Sequence, residues 1–167
     1  MKNAQFWIDT LKLRKHPEGG GFRQVYASEE FIESGHLPGR FSTRRRHATS
    51  IYYLLVSGEF SALHRIKSDE TWHFYEGSAL TVHMISPDGV YSKITLGRNP
   101  ERGEVFQFTV PHGTWFGASV NDDDSFSLVG CTVAPGFDYD DFELGARAEL
   151  LKMFAEHEEM IIEMTRE

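Results

Sequence analysis

The sequence predicts one mainly β domain, a sandwich, jelly roll or barrel, and three observations carry that prediction. Between Ala48 and Val133 short stretches rich in β-branched and aromatic residues alternate with Gly, Pro, Asp and Asn. No helical periodicity interrupts them, so successive strands joined by tight turns run antiparallel. Pro87-Asp88-Gly89 supplies one such turn, with proline presetting its own φ and glycine offering a positive one.

Along the chain, Ala4, Trp7, Ile8 and Leu11 recur at helical spacing and define a short leading helix from Ala4 to Leu13, stopped by His16-Pro17 and the glycines that follow. Phe22 to Ala27 reads as a strand, and Ser28 to His47 as a long polar excursion holding Arg44-Arg45-Arg46. The later strands are Thr49 to Val56, Phe60 to Lys67, Thr71 to Tyr75, Ala79 to Ser86, Val90 to Leu96, Val105 to Val110, Trp115 to Ser119 and Ser125 to Val133. An acidic connector with Asp138, Asp140 and Asp141 leads to a second helix from about Ala146 to Met164, whose apolar side carries Leu150, Phe154 and Ile161.

Composition narrows the function. The 167 residues suit one core and make two ordinary domains improbable on size, so residues 1–167 read as a single domain. A net charge of −8 opposes nucleic acid and anionic membranes, both polyanionic. A single cysteine, Cys131, permits no internal disulfide and reads as a buried inert thiol; with no targeting signal visible, the expected compartment is cytoplasmic.

The chemistry concentrates between Gly58 and Gly77. Period-two alternation puts Ala62, His64 and Ile66 on one face of a strand, and Glu70, Trp72 and Phe74 on one face of the next. His64 and Glu70 can therefore converge. An imidazole beside a carboxylate is an acid/base pair, and the same two side chains are candidate metal ligands. Trp72, Phe74, Gln107, Trp115 and Phe116 are the expected ligand-binding walls. His73 has the outward parity, and His83 and His112 have no motif spacing behind them. Arg44-Arg45-Arg46 reads as a solvated loop or subunit contact, and His16 to Gly21 as a strand-entry loop near the barrel mouth.

Here the sequence resembles the cupin superfamily. Five residues separate Gly58 from His64, three separate Ile66 from Glu70 and six separate Glu70 from Gly77, which matches the first cupin motif except that Ile66 replaces its second histidine. Pro111, Gly113 and Phe116 match the second motif, with Phe116 in place of its histidine. Blocks such as His16-Pro17-Glu18-Gly19-Gly20, Ser50 to Leu55, Ser68 to Tyr75 and Gly130 to Phe137 resemble the branch known as cupin family five, a domain of unknown function. The resemblance implies a double-stranded β-helix, the cupin jelly-roll barrel, with its core at about 19–137, short helices at either end and a pocket in the barrel mouth. It also implies a homodimer. It implies a divalent metal only through an incomplete ligand set, His64 and Glu70, since two of the superfamily's four ligands are replaced. The expected partner is a small polar molecule, such as a carbohydrate or nucleotide-sugar derivative. By analogy with epimerases on the same barrel, the expected enzyme is isomerase- or epimerase-like with His64 as acid/base; the alternatives are non-catalytic binding or sensing and a metal-dependent cupin.

Overall fold

The computed structural model describes residues 2–167; Met1, the first residue of the segment read above as lacking a targeting signal, lies outside them. The elements in order are α1 (Ala4–Leu11), β1 (Arg14–Lys15), β2 (Gly21–Ala27), β3 (Phe31–Ile32), β4 (Arg45–Arg46), β5 (Thr49–Val56), β6 (Phe60–Arg65), β7 (Asp69–Gly77), β8 (Leu80–Ile85), β9 (Tyr91–Leu96), β10 (Gln107–Val110), β11 (Trp115–Val120), β12 (Phe126–Ala134), β13 (Glu143–Leu144), α2 (Arg147–Met153) and α3 (Glu158–Glu163). They form a six-stranded sheet ordered β1-β2-β5-β12-β7-β10, a five-stranded sheet ordered β13-β6-β11-β8-β9 and a small β3-β4 ribbon. Every strand pairing within the sheets is antiparallel, and the two larger sheets face each other as a jelly roll. Among the described residues, no helix is long and apolar enough to cross a membrane.

The alternation of side chains decides what each strand buries. One core cluster fills the space between the sheets, with Tyr53, Leu55, Trp72, Leu80, Val82, Phe116 and Val129 among its buried members. A second lies behind the five-stranded sheet, where Leu63, Ile85 and Trp115 meet Leu150, Ile161 and Met164. β6 and β11 are thus buried on both faces, and neighbouring residues serve different cores: Leu63 packs outward while His64 points in, and Trp115 packs outward while Phe116 points in.

Three local readings of the sequence change. The single helix expected over 146–164 is two helices, because Phe154 leaves helical geometry (φ −137°, ψ 55°) to pack into the second cluster, and the turn after it sets His157 Nε2 2.8 Å from the Gly89 carbonyl. The strand expected from Val105 begins at Gln107, with Val105 making only an isolated bridge to Leu96. The polar excursion over 28–47 carries β3 and β4, and of its arginine run Arg44 is exposed, Arg46 half-buried and Arg45 buried.

Arg45 is buried, with 1 % of its surface exposed, and holds Asp141 by two parallel bonds, Nε to Oδ2 at 2.7 Å and Nη2 to Oδ1 at 2.6 Å. Its remaining donors reach Thr43 and the Arg44 carbonyl. This clasp ties residues 43–46 to the segment after β12 that carries Phe137, Tyr139 and Phe142. Removing one partner leaves a buried charge without its counterion. Asp141→Asn should therefore cost roughly 3–5 kcal/mol in denaturant unfolding, while Arg45→Met combined with Asp141→Leu should recover most of it, since a well-packed apolar pair replaces a buried ion pair at little cost.

Candidate functional site

A cavity of about 180 Å³ opens between the two sheets at one end of the barrel. His64 from β6 and Glu70 from β7 both line it, although their strands belong to different sheets and face one another across the interior. Its walls are apolar, from Phe22, Ile51, Ile66, Val133, Phe137 and Phe142, and the lining carboxyls Glu18 and Glu70, the His64 imidazole and the Cys131 thiol are buried.

His64 is fixed at both ring nitrogens. Nδ1 lies 2.7 Å from the Ala62 carbonyl, an oxygen that only accepts, so Nδ1 carries hydrogen. Nε2 lies 3.0 Å from Glu18 Oε2. Two lone pairs cannot share that distance favourably, so one proton sits between them: the pair is either a neutral imidazole with a protonated carboxyl or an imidazolium with a carboxylate. Burial pushes the Glu18 carboxyl upward and the His64 imidazole downward, the direction that favours the neutral pair. The Phe116 ring, centred 4.2 Å from the imidazole, and Phe142 at 5.4 Å shield it from water.

Glu18 reaches this position through the His16 to Gly21 turn. The His16 N–H bonds the Gly20 carbonyl at 3.0 Å and the Gly19 N–H bonds the His16 carbonyl at 3.1 Å. Gly19 takes φ +117° and Gly20 φ +72°; a Cβ at Gly19 would stand 2.3 Å from the Phe60 carbonyl oxygen, and one at Gly20 2.7 Å from that of Leu54. Only glycine lets the turn lie that close. The Glu18 carbonyl accepts from the Ala62 N–H at 2.8 Å and from Arg166 Nη1 at 2.8 Å, while Ser61 Oγ donates to Oε1 at 3.0 Å. His16 completes the group: its Nδ1 accepts from the Glu18 N–H at 3.3 Å, and burial, the largest influence on it, lowers its pKa.

Glu70 is buried beside Cys131, and both line the cavity. Burial raises the Glu70 pKa to about 7; the nearby His64 offsets part of that rise and the Glu18 charge adds to it. The same burial holds the Cys131 thiol well above its usual range, so it is protonated at neutral pH.

The structure therefore brings His64 and Glu70 to one cavity but gives His64 a different hydrogen-bond partner, Glu18, which the sequence reading left in a strand-entry loop. Its signal lay in the His16-Pro17-Glu18-Gly19-Gly20 block, where a carboxylate sits in a glycine-fixed turn. The expected wall residues lie elsewhere. Trp72 points inward but deeper, against Tyr53 and Phe116. Phe74 packs on the inner core with Arg98 over its ring at 5.7 Å. Gln107 stands exposed opposite His73, on the outer face of the six-stranded sheet. Trp115 belongs to the second core because it is one residue out of phase with Phe116, and Phe116 covers the His64 ring without lining the cavity. His83 bonds Tyr91 and His112 bonds Asp69, both away from the cavity.

The donor set does not fit the metal site that the cupin resemblance implies. Ile66 and Phe116 present hydrocarbon where two ligands would stand, and both nitrogens of His64 are committed to protein partners. Among the described residues no three His, Cys, Asp or Glu side chains are grouped to hold a metal ion.

The raised pKa of Glu70 links stability to pH. Between its unfolded value of 4.5 and its folded value of about 7 the native state holds the extra proton, so this group stabilises the fold fully below that window and ceases to do so as pH rises through 7. Glu70→Gln, which cannot ionise, should gain stability relative to the unsubstituted protein as pH is raised from 5 to 8. Denaturant unfolding at steps across that range reads the difference, and a constant difference would contradict the assignment.

The chain matches the family model described as "Cupin superfamily (DUF985)" over residues 5–145. It is 42% identical to protein SO0799 from Shewanella oneidensis, whose crystal structure superposes with a TM-score of 0.90 and 99% of each chain covered. A hypothetical protein from Leishmania major is 39% identical with the same TM-score and coverage. The uncharacterized protein YML079W of Saccharomyces cerevisiae is 27% identical over 147 residues, 83% of this chain and 73% of that one. Oxalate decarboxylase from Bacillus subtilis shares the fold alone, with 14% identity and a TM-score of 0.55 over 90% of this chain and 36% of that one. With a jelly roll, a cavity at the barrel mouth and a family match across most of its length, this chain belongs to the DUF985 family of the cupin superfamily.

Proposed function

We propose that the cavity binds a small polar molecule bearing a hydroxyl beside a carbonyl, and that the protein moves protons on it in an isomerase- or epimerase-type reaction. The observation that carries this reading is the presence of two separate proton carriers at one buried end: the pair that holds a proton between His64 Nε2 and Glu18 Oε2, and Glu70, which ionises at about 7. Groups poised near the working pH are the efficient acids and bases.

In the step this supports, the Glu70 carboxylate takes the proton from the carbon next to the carbonyl. The C–H electron pair becomes the carbon–carbon double bond, and the carbonyl oxygen takes the proton held by the His64–Glu18 pair, giving an enediol. Returning a proton to the former carbonyl carbon, or to the other face of the original carbon, regenerates a carbonyl as the enediol hydroxyl on the other carbon gives its proton back to the His64–Glu18 pair. Electrons balance without an external oxidant. This gives His64 the acid role in concert with Glu18, since its Nε2 is already engaged with the shared proton. The cavity's 180 Å³ lies below the roughly 300 Å³ at which drug-sized pockets begin, which favours a single small hydroxy-carbonyl compound over a nucleotide-sugar.

Incubation of the purified protein in deuterated buffer with three- to six-carbon hydroxy-aldehydes and ketones should introduce carbon-bound deuterium next to the carbonyl, read by proton NMR. Glu70→Gln and His64→Gln should each slow that exchange by about 10²-fold or more. A protein that binds these compounds, or a copurified ligand identified by mass spectrometry, yet leaves every carbon-bound hydrogen unexchanged is a binding or sensing protein instead.

A further inference from the structure

Charge is divided unevenly along the cavity. Its buried end holds Glu18 and Glu70, with neutral His16 and a His64 that shares its proton, so the end is neutral at best and becomes negative as Glu70 ionises. Among the described residues Arg14 is the only lysine or arginine that lines the cavity, and it stands exposed on β1 at the rim. Its guanidinium lies 5.2 Å over the ring of Phe22, itself a cavity wall, and makes no hydrogen bond or ion pair with a described residue. Gln24 and Tyr139, both exposed, add an amide and a phenol to the same lining. The rim is thus rich in donors and the floor poor in cations.

An anionic group placed at the floor would lie beside two buried carboxyls with no cation to offset it. The same group at the rim meets a planar fork of donors held by an aromatic ring, and the surrounding protein, with net charge −8, offers few competing cations inside the cavity. Resting on the proton-transfer reading above, we propose that the substrate carries an anionic group, a phosphate or a carboxylate, that docks on Arg14 while its hydroxy-carbonyl end faces Glu70 and the His64–Glu18 pair. Arg14 is then a specificity-determining residue: it selects charged over neutral compounds of one size and sets which end enters first.

Three probes that share a hydroxy-carbonyl end test this: dihydroxyacetone, which is neutral, dihydroxyacetone phosphate and hydroxypyruvate. Their binding is read by titration calorimetry on the full chain and on Arg14→Gln, with thermal unfolding showing that the variant folds as the parent does. The phosphate, the carboxylate or both should bind about tenfold or more tighter than dihydroxyacetone, in keeping with charge-assisted hydrogen bonds, and the preferred probe names the anion. Arg14→Gln should abolish that advantage and leave dihydroxyacetone unchanged, and added salt should erode it in the parent protein. Equal binding of neutral and charged probes, an advantage that survives Arg14→Gln, or no binding of any probe at millimolar concentration overturns the proposal. Arg14-dependent binding without hydrogen exchange would fail the proton-transfer reading and leave the docking site standing; exchange with no preference for charge would do the reverse.

Discussion

One proton shared by His64 and Glu18 organises this molecule's interior. A carboxyl and an imidazole could not both be carried into the barrel as unsatisfied charges, because the desolvation of each would exceed what the fold can offset. Holding 3.0 Å apart with a single hydrogen between them, they satisfy each other, and the Ala62 carbonyl and Ser61 hydroxyl satisfy their remaining atoms. Glu70 has no such partner of opposite sign at hydrogen-bond distance, and burial raises its pKa. Burial thus raises the proton affinity of both carboxyls.

The fold was legible because its rules are local. Thr49–Val56 forms the strand read from its β-branched run, and the other strands of the middle differ only at their ends. The inward parity of His64 and Glu70 was also readable, since alternation within a strand needs no knowledge of its neighbours. Trp115 shows where that method slips: its aromatic character pointed to a wall, but the period that turns Phe116 inward turns Trp115 toward the helices behind the sheet. Gln107 followed its register partner His73 to the outside.

What the sequence concealed came from contacts between distant segments. Glu18 lies 43 residues from the Ser61 it bonds, and nothing in its own neighbourhood states that β6 runs beneath the turn. Arg45 sits in a basic run that suggests solvent, yet its counterion is 96 residues away. In both cases the local pattern was ambiguous and the long-range partner decided the outcome. Glycine supplied the physical clue in the first: two consecutive positive φ angles at Gly19 and Gly20 mark a backbone pressed against another strand.

The bond from Arg166 to the Glu18 carbonyl spans 148 residues of sequence. Hairpins such as β8-β9 close over short loops and gain their pairing early, whereas a contact of that separation forms only after a large loss of chain freedom. Without Arg166 the Glu18 carbonyl would keep one of its two donors, the Ala62 N–H, so a residue at position 166 helps to seat a carboxyl that enters the fold at position 18.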